Sequence, residues 1–147
     1  MAEEILWAEV DLKAIAHNIR ELRRIADPNS RLMAVVKANG YGHGSVEVAR
    51  CALNNGAKVL GVARIDEAVI LRNAGIDAPI LIFGYTPPLF YKEILKFDLT
   101  QTVYSLQTAK ELSSFALLHK SKIRIHIKID TGMGRLGILP DSESALR

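Results

Sequence analysis

Short apolar runs alternate along the chain with longer amphipathic stretches. Residues 31–36, 58–63, 80–83, 100–104 and 123–129 read as strands, starting 27, 22, 20 and 23 residues apart. Each gap carries helix start and stop signals. The stretch 46–55 follows Ser45 as cap and stops at Gly56, and 67–74 follows Asp66 and stops at Gly75. The stretch 87–96 has Thr86 as cap with Pro87 at its first position, and 106–118 follows Ser105. Ahead of these, 5–10 reads as an extra strand. Asp11 then caps a helix with Leu12, Ile15, Ile19 and Leu22 on one face, ending in the turn cluster Asp27-Pro28-Asn29-Ser30. A strand–helix step repeated in this way predicts βα units and a parallel sheet, either an open doubly wound sheet or part of a barrel. A complete (β/α)8 barrel takes about 250 residues, so this chain fills about five of eight strands. Asp141 looks like the cap of a further helix, with no stop signal before Arg147.

Composition narrows the class without naming a function. The 147 residues are 49% hydrophobic and 24% charged, as in ordinary globular domains. No apolar run approaches the ~20 residues of a membrane helix, and the acidic start lacks the basic end of a secretory signal. The net charge of +3 gives no ground for nucleic acid as a partner. Cys51 is the only cysteine, which fits a reducing cytoplasm, and at its helical position it reads as packed rather than reactive. No His/Cys/Asp/Glu spacing fits a structural zinc site, so no metal is expected. His17 and His119 read as surface residues, and Tyr85 and Tyr104 as strand-end packing residues that can also face a site.

Three places carry candidate chemistry. At Ala34-Val35-Val36-Lys37-Ala38-Asn39-Gly40-Tyr41-Gly42-His43-Gly44 an apolar strand ends in a lysine followed by a glycine-rich loop. The C-terminal ends of strands form the active face in βα architectures. An amine on such an apolar rim suits attack on an aldehyde. The plain alternative is a surface lysine before a flexible loop. Second, residues 122–130 alternate completely, with Ile123, Ile125, Ile127 and Ile129 on one face. Lys122, Arg124, His126, Lys128 and Asp130 occupy the other. In a parallel sheet the isoleucines pack on helices and the cationic row points inward. There it needs anions: a buried carboxylate, a bound phosphate, or a chemically altered lysine. Third, Asp130-Thr131-Gly132-Met133-Gly134-Arg135-Leu136-Gly137 contains the spacing Gly132-x-Gly134-x-x-Gly137, a weak match to the dinucleotide fingerprint. Arg135 within it suits a carboxylate or phenolate.

The first and third segments, the latter extended back to Lys128, resemble the two signatures of alanine racemases. Trp7-Ala8-Glu9-Val10-Asp11-Leu12 is similar to the family's usual start. The resemblance implies a pyridoxal 5'-phosphate (PLP) enzyme with a (β/α)8 barrel followed by a β domain, working as a homodimer. It interconverts L- and D-alanine by a two-base mechanism and supplies D-alanine for peptidoglycan. On that reading residues 1–10 are an N-terminal strand segment, 11–147 an incomplete PLP-binding barrel domain, and the C-terminal β domain lies outside this chain. Lys37 matches the lysine that holds PLP as an imine and serves as one base. Tyr41 matches a tyrosine near the cofactor phosphate. Arg135 matches the arginine at the phenolic oxygen and the substrate carboxylate, with Met133 beside the substrate. Lys128 matches a lysine that is often carbamylated and braces the arginine. The family's second base is a tyrosine of the partner's β domain, so these 147 residues alone are expected to be incomplete for racemisation and to expose a sheet edge that promotes self-association. A racemase for serine or another amino acid, or a non-catalytic PLP-binding module, is the alternative.

Overall fold

The computed structural model describes residues 6–140. Five parallel strands form one sheet in sequence order: β1 (Leu32–Val35), β2 (Ala57–Val62), β3 (Ile80–Ile82), β4 (Thr100–Val103) and β5 (Arg124–Ile127). Helices α3 (Ser45–Asn54), α4 (Ile65–Asn73), α5 (Tyr91–Lys96) and α6 (Leu106–Leu118) fill the crossovers, and α1 (Leu12–Ile25) precedes β1. A short turn, α2 (Lys37–Tyr41), follows β1 directly. Because every strand is parallel and in order, all five C-terminal ends lie along one edge. That edge gathers residues far apart in sequence.

The core lies between sheet and helices. Leu60, Ile80, Ile82, Leu71, Ile94, Leu99 and Leu112 are essentially sealed from solvent. Each contributes about 1.5–3 kcal/mol by leaving water. One charged side chain helps close this layer. Arg72 on α4 donates to the carbonyls of Phe97 (2.9 Å), Ile76 (2.5 Å) and Ala78 (2.8 Å). It thereby fastens the loops that enter β3 and β4. Burial lowers the Arg72 pKa from its ordinary value.

Several boundaries differ from the sequence reading for identifiable reasons. Asp11 caps α1 as expected, its Oδ1 accepting from Lys13 N at 2.7 Å and Ala14 N at 3.2 Å. On the expected apolar face, however, only Ile15 and Ile19 are half-buried, while Leu12 and Leu22 are exposed. Cys51 sits beneath this helix, its Sγ donating to Leu12 O at 3.3 Å, which accords with the packed reading. Ser45 is inside α3 rather than its cap, because Gly44 holds the cap position. Helix α4 starts at Ile65, with Arg64 rather than Asp66 as cap. Thr86 does not cap a helix: it is buried and donates to Gln101 Oε1 at 2.7 Å. Pro88, not Pro87, begins the 3-10 turn Pro88–Phe90 that leads into α5.

No strand forms over 6–10: Leu6 and Trp7 are 89% and 71% exposed, and nothing among the described residues pairs with them. Ile5, and the helix expected after Asp141, lie outside the described residues. No described helix is long and apolar enough to cross a membrane.

Candidate active site at the strand ends

Strand β1 delivers Lys37 to the active edge, and the chain then winds the wrong way. Ala38, Asn39, Gly40 and Tyr41 have φ values of 51°, 53°, 63° and 55°. This is a full left-handed turn, which costs non-glycine residues roughly 1–2 kcal/mol each. Gly40 stands at its tightest point, where an added Cβ would crowd the Ser45 backbone at 3.3 Å. Local bonds hold the turn. Gly44 N donates to Asn39 O at 2.9 Å, and Ser45 N donates to Asn39 Oδ1 at 3.0 Å. At the turn's start, Ala38 N donates to Glu67 Oε1 at 2.7 Å. Strain of this kind persists where surrounding contacts over-determine it, commonly at functional sites.

Lys37 then lines a cavity of about 610 Å³ at the strand ends, shared with Thr102, His126, Lys128 and Arg135. Ala63, Leu81, Phe83 and Gly84 give it an apolar wall. That volume suits a small ligand. Four of the lining side chains carry basic nitrogen and none of the lining residues is a carboxylate. The cavity is therefore built for an anion. Tyr41 stands beside Lys37, whose Nζ is 5.2 Å from the ring centroid, within cation–π range. Tyr41 itself is 57% exposed and does not line the cavity. Met133 is 71% exposed and does not line it.

The alternation on β5 is realised in part. Ile123 packs against the core, Ile125 is 42% exposed and borders with it a cleft shared with Ala109 and Leu112 of α6, and His126 and Lys128 line the cavity. Ile127 and Ile129 do not pack under a helix; they are 66% and 46% exposed at the sheet edge and border the cavity. Arg124 does not point inward but pairs with Asp98 at the opposite end of the strand. Lys122 lies beside Ile123 near α6 rather than in the cavity.

The loop that brings Arg135 to the cavity folds around Asp130. This carboxylate is 8% exposed and accepts from Gly132 N at 3.0 Å and Gly134 N at 3.0 Å. These bonds hold its pKa below the ordinary carboxylate value. Asp130 N donates to Ile138 O and Ile138 N donates to Lys128 O, both at 2.9 Å. Residues 131–137 therefore loop out and the chain rejoins just past β5 through a parallel bridge between Ile129 and Ile138, opening no helix. The glycine spacing is thus not a dinucleotide fingerprint, whose phosphate grip requires a helix N-terminus.

Sequence reasoning missed the side chains that tie this edge together. Glu67 Oε2 accepts from Ala63 N at 2.7 Å and Arg64 N at 3.2 Å, while its other oxygen takes Ala38 N. Gln101 Nε2 donates to Gly84 O at 2.7 Å and Thr102 O at 2.9 Å. The one available signal was a glutamate three residues after Arg64 at a helix start, a capping pattern that says nothing about Ala38. No group of three or more His, Cys, Asp or Glu placed to hold a metal occurs among the described residues.

Fold and cavity together define a βα-sheet protein with a cavity at its C-terminal strand ends lined by lysine, arginine and histidine. A family model described as alanine racemase, N-terminal domain, matches residues 10–147. The alanine racemase of Methanococcus maripaludis is 52% identical over 144 residues, covering 98% of this chain and 39% of its own length. That of Desulforamulus reducens is 49% identical over 141 residues, covering 96% of this chain and 38% of its own. Among solved structures, the alanine racemase of Streptomyces coelicolor A3(2) matches with a TM-score of 0.85 at 37% identity, covering 92% of this chain and 36% of that one. The Clostridium difficile 630 enzyme matches with a TM-score of 0.83 at 39% identity, covering 92% and 35%. The chain belongs to the alanine racemase family, and its five strands are an unclosed part of that family's barrel. It spans about two fifths of the length of the curated relatives it matches.

Proposed function

We propose that this chain supplies the cofactor lysine and part of the substrate site of a PLP-dependent alanine racemase that interconverts L- and D-alanine. The observation that carries the proposal is the shared cavity of Lys37, Lys128 and Arg135, residues drawn together from opposite ends of the chain. The donor set fits the cofactor: an amine for its aldehyde, and cations without a lining carboxylate for its phosphate and phenolic oxygen. When bound, PLP supplies an electron sink that lowers the cost of removing the α-hydrogen of an amino acid.

Within that frame the residues divide the work. Lys37 Nζ would hold the cofactor through its aldehyde and would act as base on one face of the substrate α-carbon. The Arg135 guanidinium would hold the cofactor's phenolic oxygen and the substrate carboxylate. Tyr41 acts near the phosphate, and Met133 stands at the substrate side of the loop. Lys128 first gives up a proton from its ammonium; the free amine then attacks dissolved carbon dioxide, its nitrogen bonding to carbon while a C=O π pair moves onto oxygen and a second proton leaves, so that the cation becomes a carbamate anion in the cavity it shares with Arg135. That change relieves the crowding of cations. Racemisation needs a second base on the opposite face, assigned here to a tyrosine of a second copy in a homodimer. The reading sets the enzyme in the cytoplasm, as a source of D-alanine for peptidoglycan.

The test is proton exchange. In D2O with PLP and L-alanine, an assembly that also carries the second base is expected to incorporate deuterium at the α-carbon as optical rotation decays, and these 147 residues alone at most a trace. Lys37→Ala is expected to abolish both. Undiminished racemisation by Lys37→Ala, or turnover of serine in preference to alanine, contradicts the proposal.

A further inference from the structure

We infer that Glu67 is a positioning residue that fixes Lys37 in the cavity by holding the backbone of the next residue, Ala38. The inference rests on Lys37 being the cofactor lysine. Glu67 lies in the first turn of α4, and its carboxylate meets three backbone donors. Two of them, Ala63 N and Arg64 N, belong to the exit of β2. The third, Ala38 N at 2.7 Å, belongs to the first residue of the left-handed turn and lies 29 positions away in sequence. Local helix capping accounts for the first two bonds but not the third.

The third bond has a specific consequence. Ala38 has φ 51°, a conformation that an alanine abandons unless something retains it. The next internal bond of the turn, Gly40 N to Val36 O at 2.9 Å, skips over Ala38 N. Without Glu67 that N–H loses its partner, and only the bonds from Gly40 N to Val36 O and from Gly42 N to Ala38 O (3.1 Å) are left to oppose relaxation to a right-handed or extended backbone. Such a relaxation rotates the Lys37 peptide and carries Nζ with it.

Glu67 is also one end of a hydrogen-bonded belt along the cavity rim. Ala63 O accepts from Gly84 N at 3.0 Å, Gly84 O accepts from Gln101 Nε2 at 2.7 Å, and Gln101 Oε1 accepts from Thr86 Oγ1 at 2.7 Å. Ala63, Gly84 and Thr102, which this belt connects, line the same cavity as Lys37. A glutamine cannot replace the acid here. Its one carbonyl oxygen serves one side, and its amide then points N–H groups at N–H groups on the other.

The experiment compares the parent protein with Glu67→Gln, Glu67→Ala and Arg72→Lys, the last weakening a clamp remote from the cavity. Hydrogen exchange of the peptide spanning 37–44 is read without cofactor. PLP is then added, its retention and induced circular dichroism are measured, and borohydride labelling is mapped. Loss of a charge-assisted bond predicts on the order of tenfold less protection at 37–44 and weaker PLP retention by a similar factor in both Glu67 variants. The induced dichroism changes sign or size with them. Arg72→Lys is expected to lower the melting temperature and leave all three readings as in the parent. Unchanged exchange and dichroism in Glu67→Gln, or equal changes in Arg72→Lys, overturn the inference. Should Glu67→Ala fail to fold, the isosteric Glu67→Gln decides. A parent protein with no label on Lys37 defeats the functional proposal instead, while the exchange data still decide whether Glu67 holds the turn.

Discussion

Asp130 turns one buried carboxylate into the anchor of the loop that carries Arg135. Hydrogen bonds from Gly132 N and then Gly134 N hold its pKa below the ordinary value. Its folded pKa therefore lies below the unfolded one. The stabilisation is fully present above the usual carboxylate range, about pH 4, and is lost as pH falls through the folded value. In an NMR titration the Gly132 and Gly134 amide resonances should hold their positions to below pH ~4 and then move together. Asp130→Asn should remove that transition; its persistence would contradict the assignment. Tyr91 behaves in the opposite sense. Burial first, and then the negative Glu111 that its hydroxyl meets at 3.3 Å, push its pKa up to about 12. Its contribution to stability is present below pH ~10 and fades as pH rises through the folded value. Ultraviolet titration should show at least one of the four tyrosines ionising only near pH 12. For Lys128, labelled carbon dioxide should give a carbamate carbon resonance that Lys128→Arg lacks; a parent spectrum without it would leave the cation unaltered.

At the scale of elements, the loops rather than the strands decide whether the site exists. Gly137 lies at φ 137°, and an added Cβ would meet Asp130 N at 2.5 Å. Gly137→Ala should thus displace the loop bearing Arg135 and weaken PLP retention while β1–β4 stay folded, read by cofactor titration beside far-ultraviolet dichroism. Arg72 works between elements, so Arg72→Ala should cost on the order of 2–3 kcal/mol in urea unfolding through three orphaned carbonyls. The strands were readable because a β-branched run bounded by turn residues has few other uses, and the Ser105 cap was readable because it acts locally. The left-handed turn at 38–41 was not. Alanine, asparagine and tyrosine do not announce that conformation, and the bond that supports it comes from Glu67, whose pairing with Ala38 depends on the folded sheet. Thr86 failed as a predicted cap for the same reason: its partner, Gln101, comes from the next strand.

On the scale of the whole molecule, strand order explains why so much of the site was visible before the fold was. A parallel sheet in sequence order puts every strand exit on one edge, so a lysine after β1 and a lysine–arginine pair after β5 arrive in one cavity. The inward or outward sense of each β5 residue was less legible, because β5 is an edge strand and its outer side carries no partner strand among the described residues. Ile127 at 66% exposure marks that edge. A polypeptide of these 147 residues should associate along it, and Ile127→Lys should shift sedimentation towards the monomer. A monodisperse monomer without the substitution would contradict this. The central claim concerns one amine, and borohydride reduction after PLP addition, followed by peptide mapping, tests it most directly. A single labelled site at Lys37, absent from Lys37→Ala, is the predicted result; label spread over surface lysines with Lys37 unmodified would contradict it.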